Sequence, residues 1–465
     1  MKSYIKYTLA ITCILLASAC QKFVDIKKSG SQSFIETTND CQLILDNYDL
    51  FNVNYPLDGE ISANDYYMDD NRYNADVIQA EDRALYIWQA TAIRASATPW
   101  VSSYNKIYHS NLVLEALDKL QASEQPAVVN NLRGSALFLR AYALWPLAQI
   151  YIKPYSAANL QEPGLPIHTR SDINDIPGRG TVKETYDAII KDLTEAAVLL
   201  NATSSIASRP NKAAAYAMLA RVYLSMDDYT NALANADAAL KLKSDLIDFN
   251  TLNLGSYNPF PRFNKEVIFH SVINQQNSVL EVGYGDEDKA LIVPAIINAY
   301  AGDDLRKQLY VKENLDVPEP SGTYRFIGNY EGAVGSATLF NGLATDELYL
   351  IRAECYARAN QTANAVADMN KLLVTRWADG NYPGFSAANA DEALTKILLE
   401  RRKELLMRGL RWTDLRRLNR DSRFAETLTR TVNGTAYTLP PNDPRYTLLI
   451  PQEVITNSKL PQNIR

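Results

Sequence analysis

The segment NKAAAYAMLARVYLSMDDYTNALANADAALKL, Asn211 to Leu242, restricts the fold more than any other part of the chain. It follows Pro210 and holds two alanine-rich stretches separated by Met226-Asp227-Asp228, the pattern of a two-helix hairpin. Tyr216, Leu219, Ala220 and Tyr223 recur at i, i+3, i+4 and i+7, and Ala232, Ala236, Ala239 and Leu240 form the matching stripe on the second helix. Small residues on facing stripes let the two backbones approach. A hairpin of this kind must then cover its remaining apolar surface with further hairpins.

The residue order resembles the tetratricopeptide repeat, and two other segments align with it without gaps. SALFLRAYAL, from Ser135, puts Leu137, Ala141 and Leu144 where this hairpin has Tyr216, Ala220 and Tyr223. ELYLIRAECY, from Glu347, puts Tyr349, Ala353 and Tyr356 there. Ala141, Ala220 and Ala353 are 79 and 133 residues apart, against a period of roughly 34 in a regular array. The expected fold is therefore mostly α. Tetratricopeptide-like hairpins form an α-helical scaffold, interrupted by long inserted loops and a less regular region with a few short strands, and function is expected in the insertions.

A chain of 465 residues exceeds the usual single-core size. Its net charge of -6 gives no polybasic surface and argues against a nucleic-acid partner. The 28 tyrosines against 12 phenylalanines and 5 tryptophans are the compositional outlier. Tyrosine suits a half-wet binding surface, and it equally suits the interior of a helical repeat.

Residues 1–19 read as a signal peptide: Lys2 and Lys6, an apolar run from Tyr7 to Leu16 too short to span a bilayer, and the cleavage-type Ala17-Ser18-Ala19. Cys20 follows at once. LASAC resembles the bacterial lipobox, with Ala17 where leucine is usual and Leu16 one step further back, so Cys20 is expected to be acylated and to anchor the chain in a membrane. Cys41 and Cys355 are too few for a disulfide framework, and Cys355 on a repeat helix reads as a buried small apolar residue. The spacing of cysteines and histidines offers no zinc motif, and no cofactor or metal is expected. His109, His168 and His270 share no motif, and Glu400 and Glu404 flank arginines on one helix as ion-pair partners. The chain is expected not to be an enzyme.

Within the mature chain, Asn39-Asp40 opens a helix through Cys41, Leu43, Ile44 and Leu45. Asn64 to Asn71, NDYYMDDN, is an acidic loop carrying Tyr66 and Tyr67, either calcium-like or a wet aromatic loop. Tyr66 and Tyr67 are the first candidates for stacking on a ligand, with Asp69, Asp70 and Arg72 to bond its hydroxyls and Trp88 as the neighbouring aromatic. Trp100 to Leu120 is a helix with Trp100, Tyr104, Ile107, Tyr108, Leu112 and Leu117 on its apolar face, and Trp100 itself reads mainly as structural. Pro146 predicts a kink late in the next helix. Thr181 and Glu184 have capping-box spacing at the start of a helix read as the second half of the first repeat. Between residues 245 and 345 glycine, proline, asparagine and tyrosine dominate, and Tyr257, Tyr284, Tyr324 and Tyr330 are further ligand candidates. Ala393 to Arg420 reads as helical, its charge mostly a solvated face, and Thr435 to Arg465 as strand and turn.

The order of these pieces resembles the SusD/RagB family of outer-membrane nutrient-binding lipoproteins. The resembling segments are CQKFVDIKKSG, WVSSYNKIYHSNLVLEAL, ALFLRAYALWPLAQIYIKPY, TVKETYDAIIKDLTEA, the hairpin at Asn211, ELYLIRAECYAR, ERRKELLMRGLRWTDLRRL and IPQEVITNSKLPQN. The resemblance implies an N-terminal helical region over 20–244 and a C-terminal region over 245–465 with an irregular insert at 245–345. It also implies surface anchoring at the outer membrane and delivery of a bound nutrient to a SusC-like TonB-dependent transporter. The nutrient is expected to be an oligosaccharide, or a peptide as in some members. A repeat-built envelope scaffold is the alternative.

Overall fold

A computed structural model of the chain describes residues 35–120, 124–274, 278–281, 289–315, 320–332 and 338–465. The lipobox with Cys20, and Tyr284, lie outside the described residues. Residues Thr38–Arg465 form one compact unit.

Nine helices carry the scaffold. They are α1 (Thr98–Leu120), α2 (Pro126–Tyr151), α3 (Val182–Leu199), α4 (Lys212–Ser225), α5 (Tyr229–Leu242), α6 (Thr345–Arg358), α7 (Thr362–Leu373), α8 (Ala390–Glu404) and α9 (Arg411–Leu418). From α1 to α7 each packs on the next, and α8 closes the stack against α6 and α7. The helices opening the three repeats are thus α2, α4 and α6, paired with α3, α5 and α7. Thr181 caps α3 as its spacing predicts: its side chain accepts from the Glu184 amide while Glu184 reaches back to the Thr181 amide. Helix α2 continues past Pro146 to Tyr151.

The hairpin of α4 and α5 turns at Met226 and Asp227, with Asp227 in the left-handed region (φ 62°) and Asp228 capping α5. On α5 the buried stripe is the predicted one, Ala232, Ala236, Ala239 and Leu240. On α4 burial runs round almost the whole helix, from Ala213, Ala214 and Ala215 through Ala217, Met218, Leu219, Ala220, Arg221 and Val222 to Leu224. Alanine allows this, since α3, α5 and α6 all close on α4 at once.

The insert between α5 and α6 is tied to the scaffold at its ends. Val267–Phe269 pairs antiparallel with Leu343–Ala344, directly before α6, and Val272–Asn274 pairs with Thr338–Phe340. Gly342 passes so close that a Cβ there would lie 2.2 Å from the Phe269 carbonyl oxygen. Most aromatic rings of this region are core and not surface. Tyr300 donates to the Lys403 carbonyl (2.8 Å), Tyr310 to Glu404 Oε1 (3.2 Å), and Phe326 is buried.

The segment from Ala393 to Arg420 departs from the sequence reading in two ways. It is broken into α8 and α9 at Leu405–Leu410, where Met407 and Gly409 take φ of 57° and 72°. Its charge is buried and not solvated. Arg401 pairs with Asp414 (2.8 Å), Arg417 with Glu354 (2.6 Å) and Arg408 with Asp346 (2.9 Å). Glu404 joins Arg306 (2.9 Å) to Arg376 (2.7 Å), and Arg306 also holds Asp304 and Glu400. Side chains long enough to cross between layers meet partners brought from other elements, which helical spacing alone does not reveal. Cys41 and Cys355 are each buried as free thiols. The C-terminal stretch contains, besides the strand Thr435–Leu439, the helix Gln452–Ser458.

Candidate functional site

Alternation along a two-residue strand separates the two tyrosines that were paired as candidates. Tyr66–Tyr67 runs antiparallel to Leu291–Ile292, so the neighbouring side chains point to opposite faces. Tyr66 faces inward at 1% exposure. Its hydroxyl donates to the Ile61 carbonyl (2.7 Å), and its ring packs 5.6 Å from Tyr86 with the Arg430 guanidinium 5.2 Å away. Tyr66 is therefore core, because its polar end is satisfied indoors. Tyr67 is the half-buried member, and its hydroxyl bonds no described residue. Burial, with Asp69 adding, raises its phenol above the usual range, while Arg72 opposes that shift.

The carboxylates beside it are structural as well as exposed. Asp69 caps the short helix Asp70–Asn74, accepting from the Arg72 amide (2.8 Å) and pairing with the Arg72 guanidinium. Asp70 accepts from the Asn433 amide (2.7 Å), and Asn74 donates to the Asn433 side chain (2.7 Å). Asn433 and Gly434 form the tight turn of the hairpin Leu428–Val432/Thr435–Leu439, both with positive φ. From the other side, Arg83 donates to the carbonyls of Tyr73 (2.7 Å) and Ala75 (2.6 Å). Asp65, the third acid of the loop, is buried against Arg402 (2.8 Å). The loop is thus a clamped helical turn presenting Tyr67, Arg72 and Tyr73, with Asp69 held in a cap and an ion pair, Asp65 in an ion pair and Asp70 on a turn amide.

Other candidates divide by burial. Trp88, 4% exposed, donates from Nε1 to the Ser62 carbonyl (2.8 Å) and lies under Arg430. Tyr330 is fully buried, donating to Glu266 Oε2 (2.6 Å) with the Arg408 guanidinium 3.9 Å over its ring. Both are corrections: these rings fill the core and bear on the site only by supporting it. Tyr324 is half-exposed on the strand Pro320–Phe326, which packs on Leu291–Ile292, the strand paired with Tyr66–Tyr67. Tyr257 is exposed (48%) and lies between Lys312 Nζ (5.3 Å) and Arg325 (5.4 Å). Lys312 and Arg325 face each other across the hairpin, one residue along from Glu313 and Tyr324. Tyr257 therefore covers the face opposite to Tyr324. Tyr73 and Tyr437 were missed by the sequence reading. They sit close enough for Tyr437 to help raise the Tyr73 phenol, after burial, and the only signal was the aromatic end of the run DDNRY.

Residues 345–463 match the SusD family, and residues 22–224 match the SusD-like family described as starch-binding and associating with the outer membrane. The chain belongs to the SusD/RagB family. The stretch between these two SusD matches holds the insert that pairs with Tyr66–Tyr67 and frames the site. A SusD-like protein of Formosa agariphila is 22% identical over 89% of this chain and 92% of its own. Among solved structures, a putative sugar binding protein from Bacteroides vulgatus superposes with a TM-score of 0.74 at 22% identity, covering 93% of this chain and 99% of that one. A SusD superfamily protein from Bacteroides thetaiotaomicron gives 0.73 at 21% identity, covering 92% and 100%. These likenesses establish the SusD fold. No described helix is long and apolar enough to cross a membrane.

Proposed function

We propose that this SusD-family chain is a cell-surface lipoprotein, anchored through Cys20, that binds an oligosaccharide and passes it to a SusC-like TonB-dependent outer-membrane transporter. The observation carrying the reading is Tyr67: a half-exposed ring with an uncommitted hydroxyl, fixed by strand pairing beside a clamped Arg72. A sugar ring offers an apolar face and a hydroxyl edge, which an aromatic flanked by a guanidinium and carboxylates receives without doing chemistry on it. Tyr324, half-exposed on a strand packed on Leu291–Ile292, is assigned to the same site, with Asp69 and Asp70 beside Tyr67. The SusD-like family description as starch-binding and the sugar-binding name of the Bacteroides vulgatus structure support a glycan over a peptide.

Two measurements test the reading. Affinity purification of the tagged lipoprotein from gently solubilised outer membranes is expected to recover a TonB-dependent receptor in stoichiometric amount. Recovery without one, or with envelope-assembly factors, replaces transport by a scaffold role. Retention of the purified protein on immobilised glycans, weakened about tenfold by Tyr67→Ala, is expected alongside; peptide binding without glycan retention reverses the choice of ligand.

A further inference from the structure

A second concave site lies away from Tyr67, on ground that the sequence marked only as a helix face. The first half of α1, the loop of residues 166–177 and the helix Gln452–Ser458 enclose a groove of about 450 Å³, within the roughly 300–1,000 Å³ range of small-molecule sites. Its floor is rigid. Trp100, 6% exposed, stacks on Tyr104 (5.1 Å, 29° between planes), and the Tyr104 hydroxyl donates to the Pro166 carbonyl (2.9 Å). Ile173, Ile176 and Val101 stand at the rim, 77%, 65% and 55% exposed.

The polar groups of this groove are what separate it from an ordinary apolar patch. The Tyr108 hydroxyl, the Asn105 and Asn457 amides and the Arg170 guanidinium all line it, and none of them bonds a described residue. His168 joins them with its ring edge-on to Tyr104 (5.4 Å). Burial lowers its imidazole below the ordinary value, against the pull of Asp175, so at neutral pH it stands as a neutral donor and acceptor. Asp172, Asp175 and Glu453 oppose the one guanidinium, and no excess of positive charge selects an anion. An apolar peptide or acyl chain laid here would cover these groups without pairing them, which disfavours it.

We propose that this groove is a second carbohydrate site, taking one neutral pyranose unit of a longer glycan with its apolar face on the Tyr108 ring and floor and its hydroxyls on Asn105, Asn457 and Arg170. The inference rests on the glycan reading above. None of Tyr67, Asp69, Asp70, Arg72 and Tyr324 lines this groove, so the two contacts are distinct. A polymer engaging both binds the second at high effective concentration, whereas a short oligosaccharide does not.

The test uses an array of soluble glycans including starch, xylan and pectin, with the mature protein, a groove variant (Tyr108→Ala with Asn457→Ala) and a Tyr67→Ala variant, each checked by thermal melting. For the polysaccharide that wild type retains, the groove variant is expected to bind at least tenfold more weakly. The Tyr67→Ala protein is expected to keep a residual retention that the groove substitutions then abolish. A folded groove variant that matches wild type on every retained glycan overturns the second site and leaves the first. A wild-type protein that retains no glycan overturns the glycan reading itself, and this inference with it.

Discussion

Arg221 on α4 and Glu347 on α6 form a bidentate ion pair, 3.0 Å and 2.6 Å, with both side chains 4% exposed. The same guanidinium donates to the carbonyls of Asn341 (3.3 Å) and Gly342 (2.5 Å) at the end of the insert. One side chain thus joins the second repeat, the third repeat and the insert that frames the candidate site. Replacing it by alanine leaves the buried Glu347 with only Arg401, 4.0 Å away, as counter-charge, and breaking a buried pair of this kind costs about 3–5 kcal/mol. Arg221→Ala is expected to lower the urea midpoint by that equivalent and to speed hydrogen exchange at residues 338–344. Arg221→Met with Glu347→Leu is expected to recover part of the stability; equal loss in both proteins would show that the pair's charge is not the source.

Glu60 provides a pH dependence. Its side chain is 2% exposed in the short helix Asp58–Ser62. Burial, followed by the Asp65 charge, raises its carboxyl to about 8 from an ordinary 4.5. The folded state therefore holds a proton that the unfolded state has released, so this group's contribution is fully present below about pH 4.5 and is lost as pH rises through 8. The slope is about 1.4 kcal/mol per pH unit inside that window. Glu60→Gln is expected to flatten the chemical-denaturation stability profile between pH 5 and 8 and to exceed wild type at pH 8; parallel profiles would exclude Glu60 as the titrating group.

Tyr66 and Tyr67 are adjacent and are expected to behave as opposites. Tyr66→Ala empties a packed site and removes a satisfied hydroxyl, at about 3–5 kcal/mol, as for other large aromatic truncations in cores. Tyr67→Ala is expected to leave the melting temperature within a degree or two and to weaken glycan binding about tenfold, the equivalent of roughly 1.4 kcal/mol. Calorimetric melting and glycan titration of the two proteins separate these effects. Loss of binding without loss of stability in Tyr66→Ala would contradict the inward orientation of its ring.

The two free thiols offer a probe of the native state. Burial, helped by Asp40, pushes the Cys41 thiol up to about 11, and burial raises Cys355 further. A soluble form starting after Cys20 is expected to take up no iodoacetamide at pH 8 while folded and two equivalents in denaturant, as read by intact mass. A disulfide between them would show as no uptake in denaturant without reductant.

The repeat hairpins were legible because their signal is local. Alanine and aromatic spacing on α2, α4 and α6, the turn at Asp227, and Thr181 with Glu184 all act within a few residues of backbone. The candidate site was legible only in part. The loop from Tyr66 to Arg72 could be singled out, yet nothing in its composition distinguishes Tyr66 from Tyr67. That choice is made by pairing with Leu291–Ile292, more than two hundred residues away. Trp88 and Tyr330 went astray for a related reason: Arg430 and Arg408 supply the cations that bury them, from strands and loops that no spacing rule connects.

From the order of its residues alone, the chain settles its helical hairpins, their interruption by long insertions and its SusD/RagB character, since helix periodicity and capping are short-range. The tertiary structure decides which charges are interior and which rings face solvent. Arg401, Glu404, Arg408 and Arg417 have the composition of a wet helix, and they are buried because Asp414, Arg376, Asp346 and Glu354 meet them across the fold. A charge leaves water only where a partner waits, and the partner's position is a property of packing, not of sequence separation.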